Sequence, residues 1–373
     1  MASKIYIIAG EASGDLHGGN LVKQMLKIDR NLSIRAWGGE RMQEAGASVI
    51  KHYRDLAFMG FTEVLMNIRT ILKNISFCKR DILAFKPDAI VLIDYPGFNL
   101  RIAEFAYQHK IPVLYYISPQ IWAWKQSRIE KIKKFVTRMF VILPFEREFY
   151  SKFGYQVSFP GHPLLDAIVQ FKSTETSSGM KWPKEYLVVL PGSRKQEIKK
   201  MLPVMLIAIE GHFDFPVFIG KAPSVDESFY LSLIGNSNAK LFHGGTYGLL
   251  AGAKAALVTS GTATLETALF KVPEVVCYKG GYLSYLLAKS LVKVKYISLV
   301  NLILDRPAVP ELIQQEFTPE ICRVKLTEII EEGAARNRML NDFEVLQQKL
   351  GGPGASLRAA EEMLDIIKKN QVV

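Results

Sequence analysis

The stretch Lys4-Ile5-Tyr6-Ile7-Ile8-Ala9-Gly10-Glu11-Ala12-Ser13-Gly14-Asp15-Leu16-His17-Gly18-Gly19 decides how the rest of the chain is read. Residues 4–9 form a short apolar run, residues 10–14 a glycine-bearing turn, and a helical period follows over 15–27. Strand-like runs recur at 32–37, 89–93, 113–117 and 138–143, with helical periods between them. Buried strands alternating with helices imply a parallel sheet covered on both faces.

A polar stretch at 172–181 interrupts the pattern and reads as a linker, after which the alternation restarts. Strands are expected at 186–190, 216–219, 255–259 and 274–277, with helices after the first and third. The expected architecture is α/β, with two Rossmann-like doubly wound domains, 1–165 and 184–352, facing across a cleft. The length of 373 residues agrees, at roughly 150 residues per domain. Gly351-Gly352-Pro353-Gly354 stops one helix, and the terminal segment 353–373 carries another at 355–369. That last helix either packs back on the first domain or is exchanged in a homodimer.

Composition narrows the partners. A hydrophobic share of 49% suits large cores, and a net charge of +11 favours an anionic partner. The basic residues are dispersed and no recognition motif occurs, which disfavours nucleic acid. Cys78, Cys277 and Cys322 form no CxxC pair, so neither a zinc site nor a disulfide framework is expected. The N-terminus reaches glycine and acidic residues too early for a signal peptide. No apolar run approaches the roughly 18 residues of a transmembrane helix. A soluble or membrane-surface protein is expected.

In open parallel sheets ligands bind beyond the carboxyl ends of strands, so the turns there are the candidate chemistry. In the first turn, Glu11 and Asp15 would repel a diphosphate and suit sugar hydroxyls or proton transfer better, although Ser13 and Asp15 also fit helix capping. His17 is a candidate base. Asp94, in Asp94-Tyr95-Pro96-Gly97, ends a strand where a carboxylate can accept a proton from an attacking hydroxyl, or serves as a turn residue. Tyr115, Tyr116, Trp122 and Trp124 are either core or a sugar-stacking surface, with Ser118 and Gln120 as hydrogen-bonding groups. Gly192, Ser193 and Arg194 read as a diphosphate site, because an arginine fork at a strand–helix turn clamps phosphate oxygens. Ser260, Gly261 and Thr262 open another helix whose free N–H groups suit phosphate, and Glu266 can reach ribose hydroxyls. No metal-ligand spacing occurs.

Five strings in order, Gly-Glu-Ala-Ser-Gly-Asp (10–15), Ser-Pro-Gln-Ile-Trp-Ala-Trp (118–124), Gly-His-Pro-Leu-Leu-Asp (161–166), Leu-Pro-Gly-Ser-Arg (190–194) and Ser-Gly-Thr-Ala-Thr-Leu-Glu (260–266), resemble the lipid-A-disaccharide synthase family of GT-B glycosyltransferases. The resemblance runs from Ile5 to about Gln315. It implies transfer from UDP-2,3-diacylglucosamine to 2,3-diacylglucosamine 1-phosphate, without metal or cofactor, at the cytoplasmic face of the Gram-negative inner membrane. It implies that Arg194 binds the diphosphate, that Glu266 lies near the nucleotide, and that Asn301 and Gln314 belong to a stretch closing over the donor. One departure is Gly97, where many members carry a second aspartate. That leaves Asp94, Glu11 or His17 as base, with Asp94 ranked first, and Ser13 and Gln120 on the acceptor side.

Phe58, Phe61 and Leu65 lie in an apolar stretch beside basic residues, a pattern fitting an anionic membrane surface or a core-facing helix. The alternatives are another GT-B UDP-N-acetylglucosamine transferase or epimerase, or a non-catalytic peripheral membrane UDP-binding protein.

Overall fold

A computed structural model describes residues 3–56, 68–124, 126–175, 185–280 and 295–371. The chain divides into two compact units, Met1–Val169 with Leu350–Val373, and Gln170–Lys349. Each holds one six-stranded sheet in which every pairing is parallel.

The strands of the first unit are β1 (Lys4–Ala9), β2 (Ser33–Gly38), β3 (Ser48–His52), β4 (Ala89–Ile93), β5 (Val113–Tyr116) and β6 (Arg138–Phe140), in the order β3-β2-β1-β4-β5-β6. Alternate residues go to opposite faces. Tyr6, Ile8, Leu92 and Tyr115 join Ile75, Cys78 and Ile82 of the helix Ile68–Phe85 on one side. Ile5, Ile7, Val91 and Leu114 meet Leu21 and Val22 of the helix Ala12–Ile28 on the other. The terminal helix Ala355–Gln371 adds Ala359, Met363 and Leu364 to that second face.

Two motif residues of this unit prove to be braces. The first helix starts at Ala12, ahead of the expected position, because the Glu11 carbonyl already accepts the Asp15 N–H at 2.9 Å. The Asp15 carboxylate instead accepts N–H groups of Gly39, Arg41 and Met42 at 2.6, 3.0 and 3.2 Å, capping the short helix Glu40–Glu44. Asp166 likewise accepts the N–H groups of Gly354 and Ser356 at 2.5 and 2.7 Å, and the Arg358 guanidinium donates to the Pro160 carbonyl at 2.7 Å. The 161–166 string thus fastens the start of the terminal helix.

The second unit has β7 (Leu187–Leu190), β8 (Val217–Gly220), β9 (Lys240–Phe242), β10 (Ala255–Thr259), β11 (Glu274–Tyr278) and β12 (Glu311–Ile313), in the order β12-β11-β10-β7-β8-β9. Helices Glu227–Ile234 and Gly245–Leu250 follow β8 and β9 as well. The expected linker is helical to Glu175, since the helix Leu164–Glu175 runs into it. Among the described residues no helix is long and apolar enough to cross a membrane.

Candidate active site

Each sheet has one place where neighbouring strands send their connections to opposite sides, between β1 and β4 in the first unit and between β7 and β10 in the second. Such a switch point leaves a crevice at the strands' carboxyl ends. The turns after β1 and β4 carry Glu11 and Asp94; those after β7 and β10 carry Gly192-Ser193-Arg194 and Ser260-Gly261-Thr262.

In the first unit Asp94 and Glu11 come together. Burial raises the Asp94 carboxyl to about 6, and the Glu11 charge adds to the rise. A carboxylate in that range is poised to take a proton near neutrality. Asp94 and Tyr95 both have left-handed backbones, with φ of 44° and 48°. The Tyr95 ring lies over the turn so closely that a Cβ on Gly10 would sit 2.4 Å from it, which explains the glycine. A Cβ on Gly97 meets nothing within 4 Å, so the position lacking the second aspartate is open.

His17 does not join this pair. It is buried, held near 4 by desolvation, and its charge partners are Asp166 and His162. Enclosure keeps this imidazole neutral and sets it apart from the Asp94–Glu11 pair. Ser13 is exposed in the first turn of its helix, and Gln120 is exposed in the aromatic loop. Tyr115, Tyr116 and Trp122 are core, whereas Trp124 is exposed with the Arg128 guanidinium 5.4 Å from its ring centroid. Beneath that loop the buried Glu146 carboxylate accepts from the Ser118 hydroxyl at 2.7 Å and the Leu143 N–H at 2.9 Å. Burial lifts it to about 7.

In the second unit, Gly192 has φ 114°, a conformation that favours glycine, and Arg194 is exposed directly before the helix Lys195–Ile209. The Ser193 N–H donates to Glu197 Oε2 at 3.0 Å, so a carboxylate already occupies that amide. Gly261 immediately precedes the helix Thr262–Leu269, whose first residue Thr262 is exposed, while the Ser260 hydroxyl donates to the Ile297 carbonyl at 3.0 Å. Burial raises Glu266 to about 7, with the Tyr247 hydroxyl acting in the opposite sense. Gln314 follows β12 with φ 55°, and its buried Nε2 has no partner among the described residues. Asn301 is spent internally: its amide donates to the Val309 carbonyl and Glu311 and accepts the Val309 N–H, each at 2.9 Å. These bonds tie the Asn301 side chain to its own loop. Phe58, Phe61 and Leu65 lie outside the described residues.

The profile of the family described as lipid-A-disaccharide synthetase matches residues 5–359. The chain belongs to the lipid-A-disaccharide synthase family. Relatives of that name include those of Syntrophus aciditrophicus, 40% identical with 98% of both chains covered, and of Anaeromyxobacter dehalogenans, 37% identical with 99% and 98% covered. Among solved structures, the UDP-GlcNAc 2-epimerase of Neisseria meningitidis bound to UDP-GlcNAc has a TM-score of 0.69 at 12% identity, covering 97% of this chain and all of its own. The calicheamicin glycosyltransferase CalG4 has a TM-score of 0.62 at 14% identity, covering 99% of both. The fold is GT-B, and this lipid-A-disaccharide synthase family member is a glycosyltransferase. Glu197 escaped the sequence reading, although an acidic third helical residue is a capping signal.

Proposed function

We propose that the protein joins UDP-2,3-diacylglucosamine to 2,3-diacylglucosamine 1-phosphate, giving a β-1,6-linked lipid A disaccharide 1-phosphate and UDP. Arg194, exposed at the β7–β10 switch point of a chain of this family, carries the reading. The acceptor hydroxyl attacks the anomeric carbon opposite the α-linked UDP; the new C–O bond forms as the bond to UDP breaks, with inversion. The hydroxyl proton goes to Asp94, with Glu11 holding that carboxyl's affinity for protons up. The electrons of the broken bond go to the diphosphate, stabilised by Arg194 and the helix N-termini after Arg194 and Gly261. Gly192, Ser193, Ser260, Thr262, Glu266 and Gln314 line the donor side, and Ser13 and Gln120 the acceptor side.

Both substrates are lipids, and an inner-membrane surface site supplies them. The helix Ile68–Phe85 supports this: Arg69, Leu72, Lys73, Phe77 and Arg80 line a surface depression of about 590 Å³ that is both basic and apolar.

The test is incubation with both lipid sugars and measurement of UDP and disaccharide. Losing one preorganised donor costs about 2.7–4 kcal/mol in comparable sites. Arg194→Ala is therefore expected to lower turnover by roughly two to three decades in a protein of unchanged melting temperature. Near-normal turnover would remove Arg194 from the chemistry. Bound UDP without disaccharide would favour a non-catalytic protein.

A further inference from the structure

We propose that Tyr115 and Asn99 are positioning residues for the reaction, clamping the Asp94 carbonyl so that the neighbouring carboxylate is held beside Glu11; this rests on Asp94 being the base. The Tyr115 hydroxyl donates to the Asp94 carbonyl at 2.6 Å, and Asn99 Nδ2 donates to the same oxygen at 2.7 Å and to the Ile93 carbonyl at 3.2 Å. The Asp94 N–H donates to the Tyr116 carbonyl at 3.1 Å. These bonds converge where two consecutive non-glycine residues are left-handed, a conformation that persists only when its surroundings over-determine it.

The clamp is built from the core. Tyr115 is fully buried on β5, between β4 and β6 and paired with Leu92 on β4, so its ring alone would satisfy packing. Its hydroxyl reaches one strand across to the carbonyl that ends β4's run into the turn. Asn99 is also fully buried, in the first turn of the helix Pro96–Gln108. One clamp arm thus comes from a strand and the other from a helix, neither free to move without disturbing the core. The groups facing Asp94 are Glu11 after β1, Tyr95 in the turn and Tyr115 on β5, and Tyr115 in turn senses Tyr150 and Arg128.

Tyr115→Phe keeps the ring and deletes one bond. The expected result is a roughly tenfold fall in kcat, the scale of one hydrogen bond, with donor KM unchanged and the acidic limb of kcat/KM moved below its parental position. That limb moves because a released turn lets water reach the carboxylate. Asn99→Ala is measured in parallel, so that one variant failing to fold leaves the other decisive. An unchanged kcat and pH profile would overturn the clamp. So would a lower kcat with an unmoved acidic limb and a lowered melting temperature, which is the mark of a merely structural bond. Asp94→Asn separates the two ideas: full activity in that variant would dismiss Asp94 as base, whereas an inactive Asp94→Asn with a normal Tyr115→Phe would dismiss only the clamp.

Discussion

Asp94 is a residue whose energetics oppose its surroundings. Its carboxyl is raised to about 6 by burial and by Glu11, so the fold prefers it protonated. The stability this contributes is fully present below the unfolded carboxyl range of about 3.9 and is lost as pH rises through about 6. Asp94→Asn should therefore melt above the parent at pH values over about 6, converge with it below about 4, and lose turnover throughout. A variant destabilised at neutral pH would mark Asp94 as a structural turn residue. Glu197 is the counterpart in the turn after β7. Its carboxylate holds the Ser193 amide at 3.0 Å, so in the proposed reaction a diphosphate bound at this turn displaces a like charge. Glu197→Gln keeps a hydrogen-bond acceptor without the charge and should tighten UDP binding; calorimetry returning equal or weaker affinity would refute this competition.

At the scale of elements, the aspartate of the first motif fastens one piece of backbone to another. Asp15 accepts three N–H groups from the start of the helix Glu40–Glu44. Leaving buried donors unpaired costs about 1–3 kcal/mol each way such a site is broken, so Asp15→Ala should lower unfolding stability by at least that much in a denaturant titration. Its UDP affinity should be unaffected, because Arg194 and Gly192 belong to the other unit. A stable Asp15→Ala with lost turnover would return this carboxylate to the chemistry. The strands show where local pattern suffices. β1, β4, β7 and β10 are central and almost wholly buried, and continuous apolar runs announce them. β3, β9 and β12 are edge strands with mostly half-buried residues, so no continuous apolar run announces them.

For the molecule as a whole, the net charge of +11 gives attraction to an anionic surface a long reach at low salt. The Debye length shortens from about 30 Å at 0.01 M to about 8 Å at 0.15 M, so binding to vesicles containing anionic lipid should weaken over that range. The apolar part of the attraction should persist. Leu72 is 52% exposed on the helix Ile68–Phe85, so replacing it with serine is expected to weaken vesicle binding at either salt without lowering the melting temperature. Binding that ignores both salt and this substitution would remove this helix from the proposed membrane contact.

The order of the central strands and the turns that follow them was written in the sequence by itself, because burial on both faces demands apolar runs and strand–helix turns demand glycine and capping residues. The same sequence marked Arg194, Glu266 and Asp94, each placed just past or near the end of a central strand. Tertiary structure alone decided which polar side chains remain for a ligand. His17 and Asn301 look available in a linear reading, yet one is sealed in the core and the other is used up within its own loop. Tyr115 looks like core, yet its hydroxyl grips the turn that bears Asp94. Burial and the hydrogen bonds of the folded chain determine such roles, and the one-dimensional pattern holds no record of them.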